Sequence, residues 1–236
     1  MNLPVTIWKI SLEQAPQVIE TGYRLLSPDE QQRTDCYKVQ KARESFILTR
    51  TALRQALAKR LDCLPEELHF DYSERGKPSL RVPRPSSEFS FSVSHSGELA
   101  VVAIADCKHI GIDCEKIRPL ANAESLARTV LCEVEWNRWI ELDEEKQMGS
   151  LLKSWTLKEA CLKAIGTGLA VPMRDLEVRS ESDIGLQLVT AQEILLTVAP
   201  WALAYFEQVS GYQIALAAAG VSKKIAAEFY EFHFDG

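Results

Sequence analysis

Three charged side chains share one arc of a stretch that is otherwise apolar, and they are the first candidates for chemistry. The stretch runs from Ser154 to Lys163 and reads Ser-Trp-Thr-Leu-Lys-Glu-Ala-Cys-Leu-Lys. At about 100° per residue, a helix here is apolar on nearly every side. Lys158, Glu159 and Lys163 fall together on the remaining arc, and charges on a buried helix need partners. The simpler interpretation is a surface ion pair between Glu159 and Lys163, which would stabilise the helix by only about 0.3–0.5 kcal/mol.

Two carboxylates lie at the end of a short apolar strand predicted at Ile110–Cys114. In an extended strand residues i and i+2 point the same way, so Asp113 and Glu115 project from one face. Paired carboxylates at that spacing repel each other unless a cation lies between them, and hard oxygen ligands suit Mg²⁺ or Mn²⁺. Zinc is disfavoured, because Cys107 and His109 belong to no four-ligand pattern.

A tight turn is predicted after a short strand at Leu68–Tyr72. Gly76 permits a positive φ and Pro78 stiffens the exit, so Arg75 and Lys77 would be presented to a ligand from the turn. Most turns of this composition are only turns, and that alternative stays open here.

A second turn, Ser94-His95-Ser96-Gly97, is predicted to join strands at Phe89–Val93 and Leu99–Ala105 into a hairpin. Such a turn can offer hydroxyls, backbone N–H groups and an imidazole to a phosphate. An ordinary polar turn is the alternative. His95 is a weaker candidate for the base of a nucleophile, since the chain has no G-x-S-x-G elbow and no evident Asp partner.

The composition limits the kinds of protein that this sequence can encode. The chain has 236 residues, 46% hydrophobic and 25% charged, with a net charge of −6. This is ordinary for a globular protein, and the acidic balance argues against general nucleic-acid binding. No apolar run reaches the roughly 20 residues that span a bilayer, and no signal peptide is evident, so a cytoplasmic protein is expected. The six cysteines never form C-x-x-C and indicate reduced residues rather than a disulfide framework.

Strands and helices alternate along the chain, and these elements must position the candidate residues. A capping box at Ser27 with Pro28 predicts the start of one helix, and the clearest helix is Gln40–Leu61. A basic group on these helices, including Arg33, is either a solvated face or an anion-binding wall. The helix with the three charges should end at Gly166. Further predicted elements are a strand at Val5–Ile10, two helices within Asn122–Leu142, strands at Leu176–Val178, Gln187–Val189, Ile194–Val198, Leu203–Gln208 and Tyr212–Ala219, and an aromatic tail at Phe229–Phe234.

Four motifs in this order and spacing resemble the 4′-phosphopantetheinyl transferases of the surfactin-synthetase-activating (Sfp) type. The motifs are Gly76-Lys77-Pro78, Ser94-His95-Ser96-Gly97, Gly111-Ile112-Asp113-Cys114-Glu115 and the run from Trp155 to Lys163. The match spans Ser27 to about Pro172. It implies an α+β fold built as a pseudo-twofold pair of similar α/β subdomains, here residues 1–109 and 110–236, with coenzyme A bound between them.

The resemblance also implies roles for individual residues. Mg²⁺, or Mn²⁺, would be held by Asp113, Glu115 and Glu159, and the catalytic residues would be Asp113, Glu159 and Lys163. The residues implied to bind coenzyme A are Arg33, Arg75, Gly76, Lys77, Pro78, Ser94, His95, Asp113, Glu159 and Lys163. Some family members carry a basic residue where this chain has Glu30, so Arg43 or Arg50 is an alternative holder of the 3′-phosphate.

The implied reaction transfers 4′-phosphopantetheine from coenzyme A to a serine of an apo acyl or peptidyl carrier protein and releases 3′,5′-ADP. The proton acceptor is either Glu159 or a metal-bound water, and Lys158 either tunes Glu159 or pairs within the helix. A non-catalytic carrier-binding protein and a Mg²⁺-dependent phosphate-ester hydrolase are the alternatives. We expect a monomer without nucleic-acid or membrane partners. Carrier docking is expected on the segment between the Asp113–Glu115 strand and the Trp155–Lys163 helix, with Ile117, Leu120, Leu126 and Val130 as the apolar candidates.

Overall fold

A computed structural model describes residues 2–82, 89–120, 122–181, 185–209 and 211–234. Strands and helices are interspersed along the chain. They are β1 Leu3–Ser11, α1 Pro16–Arg24, α2 Pro28–Asp35, α3 Gln40–Leu61, β2 His69–Tyr72, β3 Pro78–Val82, β4 Ser90–Ser96, β5 Leu99–Ala105, β6 His109–Lys116, α4 Ala123–Val130, α5 Glu133–Ile140, α6 Glu144–Ile165, β7 Leu176–Glu181, β8 Gly185–Thr190, α7 Glu193–Leu196, β9 Trp201–Val209, β10 Tyr212–Ala219 and β11 Ile225–Glu231.

The first sheet has the strand order β11-β1-β5-β4. Strand β1 runs antiparallel to β5 and parallel to β11, with Leu3 opposite Ile225. The 22-residue helix α3 covers one face of this sheet, where Leu53 and Leu57 join a core cluster with Val102. The predicted bounds of this helix are confirmed.

The second sheet has the order β6-β10-β9 and is antiparallel throughout. Helix α6, also 22 residues long, packs on it through Leu157 and Ala160, which cluster with Ala215 and Ala217 of β10. Each half of the fold thus combines one long helix with one sheet. The α+β class predicted from the sequence is confirmed.

A shared core lies between the two sheets, on the faces that the helices do not cover. Strand β5 contributes Val101 to this core, β6 contributes Ile110 and Ile112, and β10 contributes Leu216, all of them buried. The two remaining hairpins, β2-β3 and β7-β8, form small sheets of their own. Strand β11 lies on the C-terminal side of the predicted subdomain boundary at 109/110, yet it pairs with β1.

Two predictions about local structure are wrong. Ile194–Val198 is not a strand, because Glu193–Leu196 form a single helical turn that buries Leu195. Ser94–Ser96 are not turn residues, since β4 extends through Ser96 and the turn begins at Gly97 with φ 58°. Within the predicted aromatic tail, Phe229 to Glu231 belong to strand β11, and Phe232 and Phe234 pack against the core under α3. Helix α1 was not predicted at all.

Within the described residues, no helix is both long enough and apolar enough to cross a membrane.

Candidate active site

Asp113 lies at the centre of a buried network between β4, β6 and α6. Alternation along β6 turns its carboxylate toward α6, where it is only 3% exposed. Lys163 Nζ donates to Asp113 Oδ1 at 2.6 Å and to Ser94 Oγ at 2.8 Å. Ser94 Oγ in turn donates to Asp113 Oδ1 at 2.8 Å. The structure therefore brings together three residues that the motifs placed in one site.

Glu115 lies two residues further along β6, and two donors orient its carboxylate. Ser96 Oγ donates to Glu115 Oε2 at 2.8 Å, and the indole Nε1 of Trp155 donates to Oε1 at 3.1 Å. Burial raises the pKa of Glu115, and the negative charge of Asp113 raises it further. Trp155 and Ser96 thereby gain a role in the site that the sequence did not reveal.

Glu159 of α6 belongs to the same electrostatic cluster. Burial raises its pKa, the charges of Asp113 and Glu115 add to that effect, and Lys163 opposes it. For Lys163 itself, burial would lower the pKa, but the charge and hydrogen bond of Asp113 together with the charge of Glu159 produce a net rise. Three carboxylates and one ammonium therefore share one site.

The fit of this cluster to a divalent cation can be tested on the side chains. Asp113 Oδ2 is buried and has no hydrogen-bond partner in the part of the chain that is described. Burial is the main cause of the raised pKa values of Glu115 and Glu159, and repulsion from neighbouring carboxylates adds to it; a cation would relieve that repulsion. No group of three His, Cys, Asp or Glu side chains among the described residues is already arranged to hold a metal ion. The carboxylate oxygens of this cluster suit a hard cation. In this structure Lys163 hydrogen bonds to Asp113 Oδ1, the other oxygen of the carboxylate whose Oδ2 lacks a partner among the described residues.

Serines at alternate positions of β4 join it to β6. Ser92 Oγ accepts the backbone N–H of Ile112 at 3.1 Å, and Ser96 Oγ accepts that of Lys116 at 3.2 Å. Ser94 lies between them. This connection between β4 and β6 could have been predicted from the sequence, because the run Ser-Phe-Ser-Val-Ser-His-Ser from residue 90 places a hydroxyl at every second position.

Gly111 sets the distance between β6 and α6. A Cβ atom built on it would lie 1.9 Å from the carbonyl oxygen of Ala160 and 2.5 Å from the nitrogen of Ala164. Any side chain would force the helix away from the strand, and with it Glu159 and Lys163. The glycine of the G-I-D-C-E motif thus allows the close approach on which the site depends.

A cavity of about 500 Å³ lies between α2, α3 and the hairpin turns. Its lining includes four residues that the resemblance assigned to coenzyme A, namely Arg33, Gly76, Pro78 and His95. Lys41 and Arg50 also line it and add positive charge. His95 is exposed, and its pKa is lowered by loss of hydration and by the charge of Lys163.

Glu30 stands where some family members carry a basic residue, and here it is a buried partner of two arginines. It is 1% exposed and accepts hydrogen bonds from Arg54 Nε at 2.7 Å and from the backbone N–H of Ser27 at 3.0 Å. Its other oxygen lies 3.4 Å from Arg50 Nε. Glu30 therefore holds Arg50 against the cavity wall, whereas Arg43 lies near Asp35 at 3.8 Å and does not line the cavity.

Arg75 and Lys77 reach across to the C-terminal end of α6. Lys77 Nζ donates to the carbonyl oxygens of Ala164 at 2.6 Å and Ile110 at 3.3 Å, while Arg75 donates to the carbonyl of Thr167. Burial lowers the pKa of Lys77 to about 8. In this structure both side chains satisfy backbone carbonyls rather than projecting freely from the turn.

A second cavity, of about 290 Å³, connects these residues with the acidic cluster. Arg75 and Lys77 line it together with Glu159 and Lys163. Gly76, Pro78 and Val93 line both cavities, which are therefore neighbours along one cleft.

Comparison with known proteins identifies the family. Residues 109–217 match the 4′-phosphopantetheinyl transferase superfamily, and residues 8–107 match the N-terminal region of 4′-phosphopantetheinyl transferases. The 4′-phosphopantetheinyl transferase HetI of Nostoc sp. is 34% identical over 74% of this chain and 73% of its own length. The chain belongs to the 4′-phosphopantetheinyl transferase superfamily. This membership confirms the resemblance inferred from the motifs and the enzyme class that it implied.

A more distant relative and a solved structure are also similar to this chain. The 4′-phosphopantetheinyl transferase Sfp of Bacillus subtilis is 24% identical, with 82% of each chain covered. Among solved structures, a holo-(acyl-carrier-protein) synthase from Bacillus anthracis in complex with CoA (3′,5′-ADP) has a TM-score of 0.41 and 23% identity, and the match covers 47% of this chain and 94% of that one.

Proposed function

We propose that this phosphopantetheinyl transferase uses the cleft to move 4′-phosphopantetheine from coenzyme A to a serine of an apo acyl or peptidyl carrier protein. The observation that carries the proposal is one cleft with a basic cavity at one end and the network of Asp113, Glu159 and Lys163 at the other. A ligand with separated phosphate groups matches this charge distribution. The match to HetI and Sfp, both named as 4′-phosphopantetheinyl transferases, supports the same reaction.

The basic cavity would hold the 3′-phosphoadenosine end of coenzyme A. Arg33 stacks over Phe46 with its guanidinium carbon 5.1 Å from the ring centroid, which leaves its edges available to a phosphate. Arg50 Nη1 is buried and makes no hydrogen bond within the described ranges. The guanidinium carbon of Arg50 lies 5.5 Å from the centroid of the same Phe46 ring, so both arginine groups are held beside each other in the wall of this cavity. We therefore assign the 3′-phosphate to Arg33 and Arg50.

The acidic end would perform the transfer. Mg²⁺ or Mn²⁺, held by Asp113, Glu115 and Glu159, would supply positive charge beside the pyrophosphate of coenzyme A. Lys163 would contact the same pyrophosphate and stabilise negative charge on its oxygens. Ser94 hydrogen bonds to both Asp113 and Lys163, so its role here is to orient those two groups.

The bond changes are a displacement at phosphorus. The carrier serine oxygen bonds to the β-phosphorus, the bond from that phosphorus to the bridging oxygen breaks, and 3′,5′-ADP leaves with the electron pair. Glu159 is our proposed acceptor of the serine proton, because its carboxylate lines the cleft beside Lys163.

The direct test incubates the protein with coenzyme A, Mg²⁺ and a panel of apo-carrier proteins, and follows the mass gain of one phosphopantetheine arm. Carrier modification together with release of 3′,5′-ADP supports the proposal. Release of phosphopantetheine in the absence of any carrier would instead indicate the phosphate-ester hydrolase.

Metal dependence is tested by titrating Mg²⁺ against two variants. Asp113→Ala removes a proposed ligand and should raise the Mg²⁺ requirement steeply, whereas Lys163→Ala should mainly weaken coenzyme A binding. Equal, metal-independent losses in both variants would contradict a site of three carboxylates. The cytoplasmic location and monomeric state stay predictions, and gel filtration tests the latter.

Carrier docking is proposed beside the acidic cluster, on the segment that follows β6. Val130 is fully buried and is not available as a contact, whereas Leu120 and Leu126 are partly buried and Leu126 packs against the core beneath α6. Ile117 is 40% exposed and lies two residues after Glu115. We therefore place the apolar docking contact at Ile117.

A further inference from the structure

A fully buried ion pair lies on the side of α6 away from the cleft. Lys158 is 0% exposed and its ammonium contacts the carboxylate of Glu135 in α5, which is itself 7% exposed. The sequence left two roles open for Lys158, tuning Glu159 or pairing within its own helix. The structure shows instead a partner 23 residues away in another element.

The pair gathers four elements at one point. Lys158 Nζ also donates to the carbonyl oxygen of Val130, the last residue of α4, at 2.7 Å. Glu135 accepts the backbone N–H of Cys132, which caps α5, at 3.0 Å, and that of Val178 in β7 at 2.9 Å. One ammonium and one carboxylate thus connect α4, α5, α6 and β7.

Stability alone gives a weak reason for such a pair. Replacing a buried ion pair with apolar residues of similar size is often neutral or stabilising, because removing two charges from water is costly. Fixing geometry is the alternative role for such a pair, and the geometry here is that of α6. Lys158 and Glu159 are consecutive, so their side chains leave the helix about 100° apart.

We propose that Lys158 and Glu135 are positioning residues that fix the rotation of α6 about its axis and so hold Glu159 and Lys163 in register with Asp113. On the sheet side the backbone of α6 at Ala160 and Ala164 closely approaches Gly111, which has no side chain to set the rotation of the helix. On the opposite side the ion pair provides the specific anchor. This inference rests on the proposed transferase function.

The test separates positioning from stability with three variants. Lys158→Met leaves the Glu135 charge buried without its partner, so the melting temperature should fall by about 10 °C. The double variant Lys158→Met with Glu135→Gln removes both charges and should recover most of that loss. Lys146→Met, which breaks an exposed ion pair with Asp143 on the same helix, is the control and should change the melting temperature by no more than about 2 °C.

Kinetics of the recovered double variant decide the question. Its kcat for carrier modification should be at least about tenfold below wild type, because small displacements of catalytic groups are costly, while KM for coenzyme A stays within about twofold. Amide hydrogen exchange in α6 should be faster in the double variant than in the Lys146→Met control. A double variant with wild-type melting temperature, kcat and exchange would overturn the proposal, leaving the pair with a structural role only.

Different measurements would contradict the proposed function and the proposed role of the ion pair. Wild-type protein that modifies no carrier contradicts the transferase assignment, yet the exchange measurement still reports on whether the pair holds α6. Faster exchange in α6 of the double variant supports the anchoring role without reference to any substrate, and unchanged exchange opposes it.

Discussion

Replacing Gly111 with alanine should break the site at its tightest packing contact. The new Cβ would lie 1.9 Å from Ala160 O, and ordinary van der Waals contact begins near 3.4 Å, so the helix must retreat by 3.4 − 1.9 = 1.5 Å. Lys163 Nζ and Asp113 Oδ1 are 2.6 Å apart, and a retreat of that size carries them beyond hydrogen-bonding distance. Overpacking of this kind costs about 1–3 kcal/mol of unfolding free energy.

The expected result is a melting temperature lower by about 3–10 °C and a transfer rate lower by about 100-fold, since a displacement of about 1 Å in catalytic groups has that effect. Differential scanning fluorimetry and the mass-based transfer assay measure the two quantities. Gly149→Ala is the matched control, because it lies in α6 with nothing within 4 Å of its Cβ position. It should stabilise the helix by about 0.5–1 kcal/mol and leave activity unchanged. Wild-type stability and activity in Gly111→Ala would refute the close packing of α6 on β6.

Three further predictions concern the cleft and its surroundings. Arg50→Met should weaken coenzyme A binding by about 10- to 100-fold in calorimetry and leave 3′-dephospho-coenzyme A nearly unaffected, whereas equal losses for both ligands would place the 3′-phosphate elsewhere. Lys77 loses its proton near pH 8 in the folded protein but near 10.5 when unfolded, so above pH 8 the unfolded state binds more protons and stability should rise with pH. Lys77→Met should flatten that rise in melting temperature between pH 8 and 10, and an identical slope in the variant would contradict the assignment. Ile117→Glu should raise the KM for the carrier with little change in coenzyme A binding, and an unchanged carrier KM would move the docking surface.

Long elements with clear signals at both ends were predictable from the sequence. Helix α3 was predicted with its observed bounds, because its apolar side recurs over many turns and turn residues flank it. Helix α6 was predicted to end at Gly166, and that residue adopts φ 73° as the C-cap. Strand alternation placed Asp113 and Glu115 on one face, and the hydrogen bonds of both carboxylates now show what they face.

Short apolar runs and long-range partners were not predictable in the same way. Ile194–Val198 has too few residues to distinguish a period of two from one of 3.6, and a single helical turn formed there. Glu135 could not be identified as the partner of Lys158, because sequence spacing reveals neighbours on one helix but not contacts between elements. Lys77 was expected to reach a phosphate, and only the packing of α6 showed carbonyl oxygens nearer to it.

The parallel pairing of β1 with β11 has a consequence for biosynthesis. Leu3 and Ile225 are opposite each other although they lie 222 positions apart in the sequence. The first sheet therefore gains its outer strand only after nearly all of these residues have left the ribosome. Until then β1 presents an unpaired edge, which is a template for association with other chains, and such distant pairing is slow to form. Folding of the N-terminal half is thus completed by the last strand of the C-terminal half, and we expect the nascent chain to rely on protection of that edge while it waits.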